Sequence, residues 1–509
     1  MNSAYPDTTT RWFITISVMA ATIMNAHDTT IANVALPHMQ GSVSASQDEI
    51  TWVLTSYIVA AAIFTPLTGW LAGRFGRKRL MLVSVVGFTI ASGLCGIATN
   101  LDELVAFRLA QGVFGAALVP MSQAILLDIN PPERHGPAMA IWGMGAILGP
   151  IIGPALGGWL TDNFSWRWVF YINLPVGILT FIGISGFLSE SRDERPVRLD
   201  LLGFALLAMA IGSLQLMLDR GQQQDWFSSL EICIEAAAAV VFAYLFIVHI
   251  FTAKRPFIDL ALFRDPNFLS SCIVGFFLGI LLFGVLALLP PMLERLMGYP
   301  VVLTGLVTAP RGIGTLLSMM LVGRIVKHVD SRLLILAGLG SCALSMWHMS
   351  HFSLGMDEWP IIISGFIQGI GTGLVFVPLS MIAFATLDPR LRNEGAAMFT
   401  LIRNIGAAVG ISVLQAMTIR NATTAHSRLV EGIRPDNPAA DFHMPDFDFT
   451  VPRSIAELNA EITRQAGMIS YVDAFWALFV LSLVMMPLIL LMRRPRQATG
   501  GDDLAMHLD

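Results

Sequence analysis

Gly143-Met-Gly145-Ala-Ile-Leu-Gly149-Pro150-Ile-Ile-Gly153-Pro154-Ala-Leu-Gly157-Gly158-Trp-Leu160 is the stretch on which the fold turns. It is a long apolar segment carrying helix-breaking residues at spacings of three and four. In water a glycine inside a helix costs roughly 1 kcal/mol and a proline roughly 3 kcal/mol, so a soluble helix would shed them. A membrane helix can keep them, because neighbouring helices pack backbone to backbone against small residues and re-satisfy the freed carbonyls. The GxxxG and GPxxGP steps therefore predict a helix that sits very close to another and bends against it. That is a transporter's requirement more than an anchor's.

The composition agrees. Of 509 residues, 55% are hydrophobic and 13% charged, against about 25% charged in ordinary soluble domains. Dividing the length into soluble domains of ~150 residues is therefore inappropriate. Residues 1–11 are polar, and the first apolar segment runs beyond 20 residues with no small-residue cleavage pattern. It reads as a retained span and not as a signal peptide. The net charge of −5 is modest, and no nucleic-acid partner is expected. Cys95, Cys233, Cys272 and Cys342 all lie in apolar segments with no close-spaced pair, so neither a disulfide framework nor a metal site is indicated.

Fourteen apolar segments can be marked: 12–36, 49–73, 79–98, 102–127, 137–161, 167–188, 200–219, 228–250, 267–289, 301–323, 332–352, 359–386, 394–418 and 470–492. Each is long enough to cross a ~30 Å hydrocarbon core. Connections on the side of the N-terminus carry Arg11; Arg74, Arg77, Lys78 and Arg79; Arg134; Arg192, Arg195 and Arg198; Lys254, Arg255 and Arg264; Arg324, Lys327 and Arg332; Arg390 and Arg392; and Arg493, Arg494 and Arg496. Short connections on the other face carry only Arg167, Arg220 and Arg295. The positive-inside rule then places both termini in the cytoplasm, and an even span count requires them to share a side. The one long connection, 419–469, falls outside; it is polar, with an acidic-aromatic stretch at 441–449 and a helix-like piece at 454–467. It reads as a solvated loop or as a docking element for an extracytoplasmic partner.

The chain repeats itself. Gln111-Gly112, Pro120, Asp128, Arg134 and Gly136 are echoed by Gln368-Gly369, Pro378, Asp388, Arg392 and Gly395, and the basic run after span 2 is echoed after span 10. Two six-span halves are thus related in parallel, with spans 7 and 8 inserted between them, the arrangement used for alternating access. The expected fold is an all-α polytopic membrane protein of fourteen transmembrane helices. Residues 1–11 and 493–509 are cytoplasmic ends, 12–188 and 267–492 are six-helix bundles, and 189–266 is a linker holding the two extra helices.

These motifs resemble the major facilitator superfamily, specifically its fourteen-span EmrB/QacA-type drug:proton antiporters, over essentially the whole chain. The resemblance rests on His27-Asp28-Thr29-Thr30-Ile31-Ala32-Asn33-Val34-Ala35-Leu36-Pro37 in span 1 and on Arg108, Gln111, Gly112 and Gly115 in span 4. It rests also on the glycine-proline run of span 5, on Trp166-Arg167-Trp168 through Asn173-Leu-Pro175, and on the loop 2–3 motif with Gly69, Arg74, Gly76, Arg77 and Arg79. Gly73 stands where that loop motif usually has an acidic residue, so its latch between the halves is not carried over. The remaining basic residues serve equally well as topology determinants.

The resemblance implies a proton-coupled multidrug efflux transporter of the bacterial inner membrane, driven by the proton gradient and using no cofactor. It also implies a periplasmic membrane-fusion adaptor, with an outer-membrane channel as a further partner. Alternatives are a dedicated exporter of one metabolite or siderophore, and a transport-inactive sensor or scaffold. An enzyme or a primary pump is disfavoured, because no Gly-Lys dipeptide, and hence no P-loop, occurs.

Charge at membrane depth is expensive and defaults to function. Asp28, past the middle of span 1, is the expected proton-coupling carboxylate, the other reading being hydrogen bonding to a broken helix. By resemblance Arg108 interacts with the proton-binding helix. Gly145, Gly149, Pro150, Gly153, Pro154, Gly157 and Gly158 form the antiporter motif. Asn25, His27, Gln111, Gln123, Arg311, Gln368, Arg403 and Asn404 are candidates to line the cavity or to bond helices together. Glu235 in span 8 sits off the repeated core, and His348 with His351 reads as an interfacial pair, with no metal assigned.

Overall fold

The computed structural model describes residues 5–190, 199–254, 256–326, 328–433 and 451–492. Arg192, Arg195, Arg198, Arg255, Lys327, Arg493, Arg494 and Arg496 of the orientation argument, the 441–449 stretch and the 493–509 end lie outside the described residues. Among the described residues every regular element is helical. Helix α1 is Thr8–Ser42, α2 is broken into Trp52–Phe64 and Leu67–Phe75, and α3 is Arg77–Ile97. Helix α4 is Leu101–Gly115 continued by Leu118–Ile129, α5 is His135–Asn163 and α6 is Asn173–Phe187. Then come α7 (Leu201–Arg220), α8 (Leu230–Thr252), α9 (Pro266–Pro291) and α10 (Val301–Ile325). The last four are α11 (Ser331–Met349), α12 (Trp359–Ala385), α13 (Arg392–Gly432) and α14 (Pro452–Met485).

Local chemistry sets the boundaries. The Asp7 carboxylate accepts from the amides of Thr9 and Thr10 and so caps α1; Asp265 caps α9 in the same way through Asn267 and Phe268. Gly76 ends α2 at φ 94°, a conformation open to glycine but not to residues with a Cβ. Pro66 sits at the break in α2, and the ring of Pro120 opposes the carbonyl of Ala116 at the break in α4.

Among the described residues eleven helices are long and apolar enough to cross a membrane, or twelve if the two pieces of α2, bent by 58°, make one span. Helices α1 and α5, at 35 and 29 residues, fall outside that set. The first carries Asn25, His27 and Asp28, which lower its mean hydropathy; in the second the side chains at 151, 154 and 155 lie outside the described residues, which interrupts the apolar stretch that can be counted. Helix α5 nevertheless runs unbroken as one α-helix through the glycine-proline run, packed along α1.

Packing is paired. Helix α1 packs on α5 and α6, α2 on α4, and α3 on α4 and α6; likewise α9 packs on α13 and α14, α10 on α12, and α11 on α12 and α14. Between the two sets α5 meets α10 and α12, while α13 meets α2 and α4. Helix α7 bridges the seam: Thr55 of α2 bonds Asp219, and Ser412 of α13 donates to the Leu218 carbonyl at 2.8 Å. Helix α8 lies outside α7 and is mostly exposed.

The long 419–469 connection is not a simple loop. Helix α13 continues through 419–432, and α14 begins at Pro452, so the expected helix-like piece is fused to the last span. The polar residues there end the apolar segment but not the helix, which carries on with Arg420, Arg428 and Glu431 in α13 and with Glu457, Glu461, Arg464 and Gln465 in α14. The two extensions pair side by side, with Asn421 Nδ2 3.0 Å from Asp473 Oδ2 and His426 Nε2 3.0 Å from Asn459 Oδ1.

Candidate functional site

Asp28 is fully buried on α1 and faces three donors from two other helices. Arg108 Nη1 of α4 lies 2.5 Å from its Oδ2; Gln111 Nε2 and Asn173 Nδ2 donate to its Oδ1 at 2.9 and 3.0 Å. Helical spacing explains the assembly: Arg108 and Gln111 stand three apart on one face of α4, and Arg108 Nη1 also donates to Gln111 Oε1 at 2.9 Å. The guanidinium, itself fully buried, donates from Nε to the Val53 carbonyl at 3.0 Å, where α2 nears its start, and lies 4.3 Å over the Tyr57 ring. A second layer fixes these groups. Asn173 Nδ2 also donates to Ser92 Oγ at 3.0 Å, and Ser92 donates to the Phe170 carbonyl. Asn25 Nδ2 donates to Tyr57 Oη at 2.8 Å and to the Gly115 carbonyl at 3.2 Å. An ion pair removed from water this completely needs further hydrogen bonds; α2, α4 and α6 supply them to all its polar atoms but Arg108 Nη2, which is buried without a partner among the described residues.

The glycine-proline run backs this site from behind α1. A Cβ on Gly149 would stand 2.6 Å from the Ala26 carbonyl carbon and from the His27 nitrogen, and one on Gly157 would stand 2.6 Å from Ile31 Cγ1. A Cβ on Gly153 would meet the Thr30 hydroxyl, and one on Gly145 the Met19 methyl. Gly158 differs, with only Val34 Cγ1 at 3.9 Å. The run thus lets α5 lie directly on the turn that carries His27 and Asp28. Pro150 continues the same helix, and the side chain of Pro154 lies outside the described residues.

The loop 2–3 motif lies where the two sets of helices meet. A Cβ on Gly69 would stand 2.9 Å from Glu394 Cα of α13. Asp128, at the end of α4, pairs with Arg77 and also with Arg392 of α13 at 3.2 Å. An acidic side chain therefore joins the two halves here although Gly73 offers none. Arg79 Nε lies 3.7 Å from Glu190, and Arg74 is exposed in the last turn of α2. Close by, Trp142 of α5 stacks on Phe376 of α12 with ring centroids 5.5 Å apart.

The other expected residues do not join the Asp28 cluster. His27 is buried and its Nε2 meets no partner among the described residues. Gln123 faces Met139 of α5, and Gln368 Oε1 is buried without a partner among the described residues. Arg311 donates to the Leu282 carbonyl at 2.8 Å, Arg403 lies against Phe376, and Asn404 is exposed. Among the described residues no group of three His, Cys, Asp or Glu is placed to hold a metal ion. Tyr57 and Ser92 went unmarked as sequence; their one signal is a polar group inside an apolar segment.

A helical membrane protein of two paired sets of helices, with a buried ion pair in one of them, is the class that fold and site define. Residues 18–411 match the family described as Major Facilitator Superfamily. The chain is 37% identical over 500 residues to "Multidrug export protein EmrB" of Escherichia coli (strain K12), covering 96% of each chain. It is 36% identical over 469 residues to the protein of that name in Haemophilus influenzae, covering 91% of this chain and 92% of the other. The solved structure of the human organic anion transporter MFSD10 (TETRAN) superposes with a TM-score of 0.59 at 14% identity, over 93% of this chain and 99% of that one, a likeness of fold alone. The chain belongs to the major facilitator superfamily, in its EmrB/QacA-type branch.

Proposed function

We propose that this protein is a proton-driven exporter of amphipathic or hydrophobic small molecules, working by alternating access in the bacterial cytoplasmic (inner) membrane. The observation that carries the reading is the fully buried Asp28–Arg108 pair. With Asp28 ionised, the pair is neutral overall and ties α1 to α4. A proton arriving on an Asp28 oxygen removes the negative charge and leaves Arg108 without its counter-ion. The pair then has a reason to part, and α1 a reason to move against α5, whose glycines allow close sliding. Asp28 in this reading carries the exchanged proton and Arg108 sets its affinity. The multidrug substrate range is that named for the EmrB relatives.

The chain in this account crosses the membrane fourteen times with both ends cytoplasmic. Support comes from the eleven apolar helices, the bent α2, and the lengths of α1 and α5. The halves 12–188 and 267–492 are the moving bodies, and their paired packing supports that division; segment 189–266 inserts α7 and α8 at the seam. The paired extensions of α13 and α14 then stand outside the membrane as a surface for a periplasmic adaptor. The test uses everted vesicles with a proton gradient. Asp28→Asn is expected to abolish gradient-driven efflux while inserting at the wild-type level. Wild-type efflux from that variant would refute the assignment.

A further inference from the structure

At the end of the bundle that carries the N-terminus, α1 and α5 do not close fully on each other. A recess of about 140 Å³ opens between their first turns. Thr8, Arg11, Trp12 and Thr15 line it from α1; Arg134, Pro137, Ala138 and Ile141 line it from the start of α5. Both sets follow the spacing i, i+3, i+4, i+7, so each is a single helical face. The two faces change in step along the helices. Thr8, Arg11 and Arg134 make a polar, cationic end, and Trp12, Ala138 and Ile141 make an apolar one. Trp12 is 53% exposed, and Ile16, one turn further along α1, is 60% exposed. The recess therefore runs on into an apolar track on the outside of the bundle.

The cationic end is held in place. His135 Nε2 lies 2.9 Å from the Leu127 carbonyl and 3.1 Å from that of Asn130, which fixes the turn carrying Arg134. Asn130, also in the lining, donates from Nδ2 to the Leu126 carbonyl at 2.8 Å. Arg11 donates from Nη2 to the Pro6 carbonyl at 2.9 Å, while its buried Nε has no partner among the described residues. Neither Arg11 nor Arg134 has a carboxylate within ion-pair distance among the described residues. The acids beside them in sequence, Asp7 and Glu133, do not line the recess, and Asp7 Oδ2 accepts from the amides of Thr9 and Thr10. Two cations thus face one space that holds no counter-charge. Topology alone would be served by arginines turned to water, with no recess between them.

We propose that this recess is a binding site for an anionic phospholipid of the cytoplasmic leaflet. Its phosphate sits between Arg11 and Arg134, and an acyl chain follows Trp12 and Ile141. Arginine forks suit phosphate oxygens, basic pockets between spanning helices on the cytoplasmic side take anionic headgroups, and tryptophan belongs at headgroup level. A free phosphate would use the arginines alone and leave the apolar track without a part. The leaflet follows from the orientation proposed above. Seventeen residues separate Arg11 from Asp28, about 25 Å along α1. The lipid therefore straps the first turns of α1 to α5 without touching the buried ion pair.

The test uses purified full-length protein in a neutral detergent, stripped of lipid. Native mass spectrometry reads the single lipid retained when dioleoyl-phosphatidylglycerol competes with dioleoyl-phosphatidylethanolamine. Wild type is expected to prefer the anionic lipid by about twentyfold, Arg11→Gln and Arg134→Gln each to lower that ratio about fivefold, and the double variant to bring it near parity. Arg264→Gln, which removes an exposed cation outside the recess, should leave the ratio unchanged. A large excess of inorganic phosphate should leave the lipid bound. The single variants decide if the double variant does not insert. A wild type that binds both lipids equally overturns the proposal, as do single variants with the wild-type ratio. An equal loss in Arg264→Gln would show general attraction to the cytoplasmic face and no site. Displacement of the lipid by phosphate alone would make the recess a free-anion site and remove the lipid. Because the readout is binding, each outcome is independent of the export reading.

Discussion

Replacing Gly149 by alanine adds one methyl group where α5 touches the backbone of α1. That carbon would stand 2.6 Å from the Ala26 carbonyl carbon and the His27 nitrogen, whereas carbon atoms in good contact sit ~3.5–4.0 Å apart. Backbone atoms cannot rotate away, so α1 and α5 must part by roughly 1 Å. Overpacking of this kind costs about 1–3 kcal/mol, and the strain falls one residue from Asp28, whose bond to Arg108 is 2.5 Å long. A misplacement of ~1 Å beside a reacting group can cost about a hundredfold in rate. The same run supplies its own control, because a Cβ on Gly158 meets only Val34 Cγ1 at 3.9 Å. Initial efflux rates in everted vesicles, normalised to inserted protein, should fall about tenfold or more for Gly149→Ala and stay within about twofold of wild type for Gly158→Ala. Gly145→Ala should be the milder of the tight positions, since it presses on the flexible end of Met19. Equal efflux from Gly149→Ala and Gly158→Ala would refute the reasoning, as would loss of insertion in place of loss of transport.

Removing Arg108 alone as Arg108→Gln leaves a buried carboxylate uncompensated, for which ~3–5 kcal/mol is the usual loss. The double variant with Asp28→Asn should recover most of that in thermal unfolding, without recovering transport; a double variant as unstable as the single would contradict the pair's role. Asp128→Asn gives up the contacts to Arg77 and Arg392. Because Asp128 is partly exposed the loss is on the order of 1 kcal/mol, enough to loosen the seam beside Gly136 and Val326. A cysteine at Val326 should then react several times faster with a polar thiol reagent, and unchanged labelling would remove the latch.

The glycine-proline run was readable as a close-packing helix because small residues at three- and four-residue spacing have one main use in an apolar segment. Asp28 was readable as a candidate because charge at that depth is rare, and its helix's meeting with Arg108 only through the family resemblance. What sequence did not show is what depends on distant parts of the chain meeting. Asp128 reaches Arg392 across the seam, Tyr57 lies under the Arg108 guanidinium, and Asn173 completes the Asp28 oxygens. Hydropathy also misjudged the ends of α13 and α14, because it registers where the lipid stops and not where the helix does.

The central claim is that Asp28 carries the proton exchanged for substrate. The most direct measurement is proton release on ligand binding, read with a pH indicator in weakly buffered detergent solution of the purified protein, for wild type and Asp28→Asn. The account predicts about one proton released per ligand bound by wild type and none by the variant, with ligand binding retained. Proton release of the wild-type size from Asp28→Asn would contradict it.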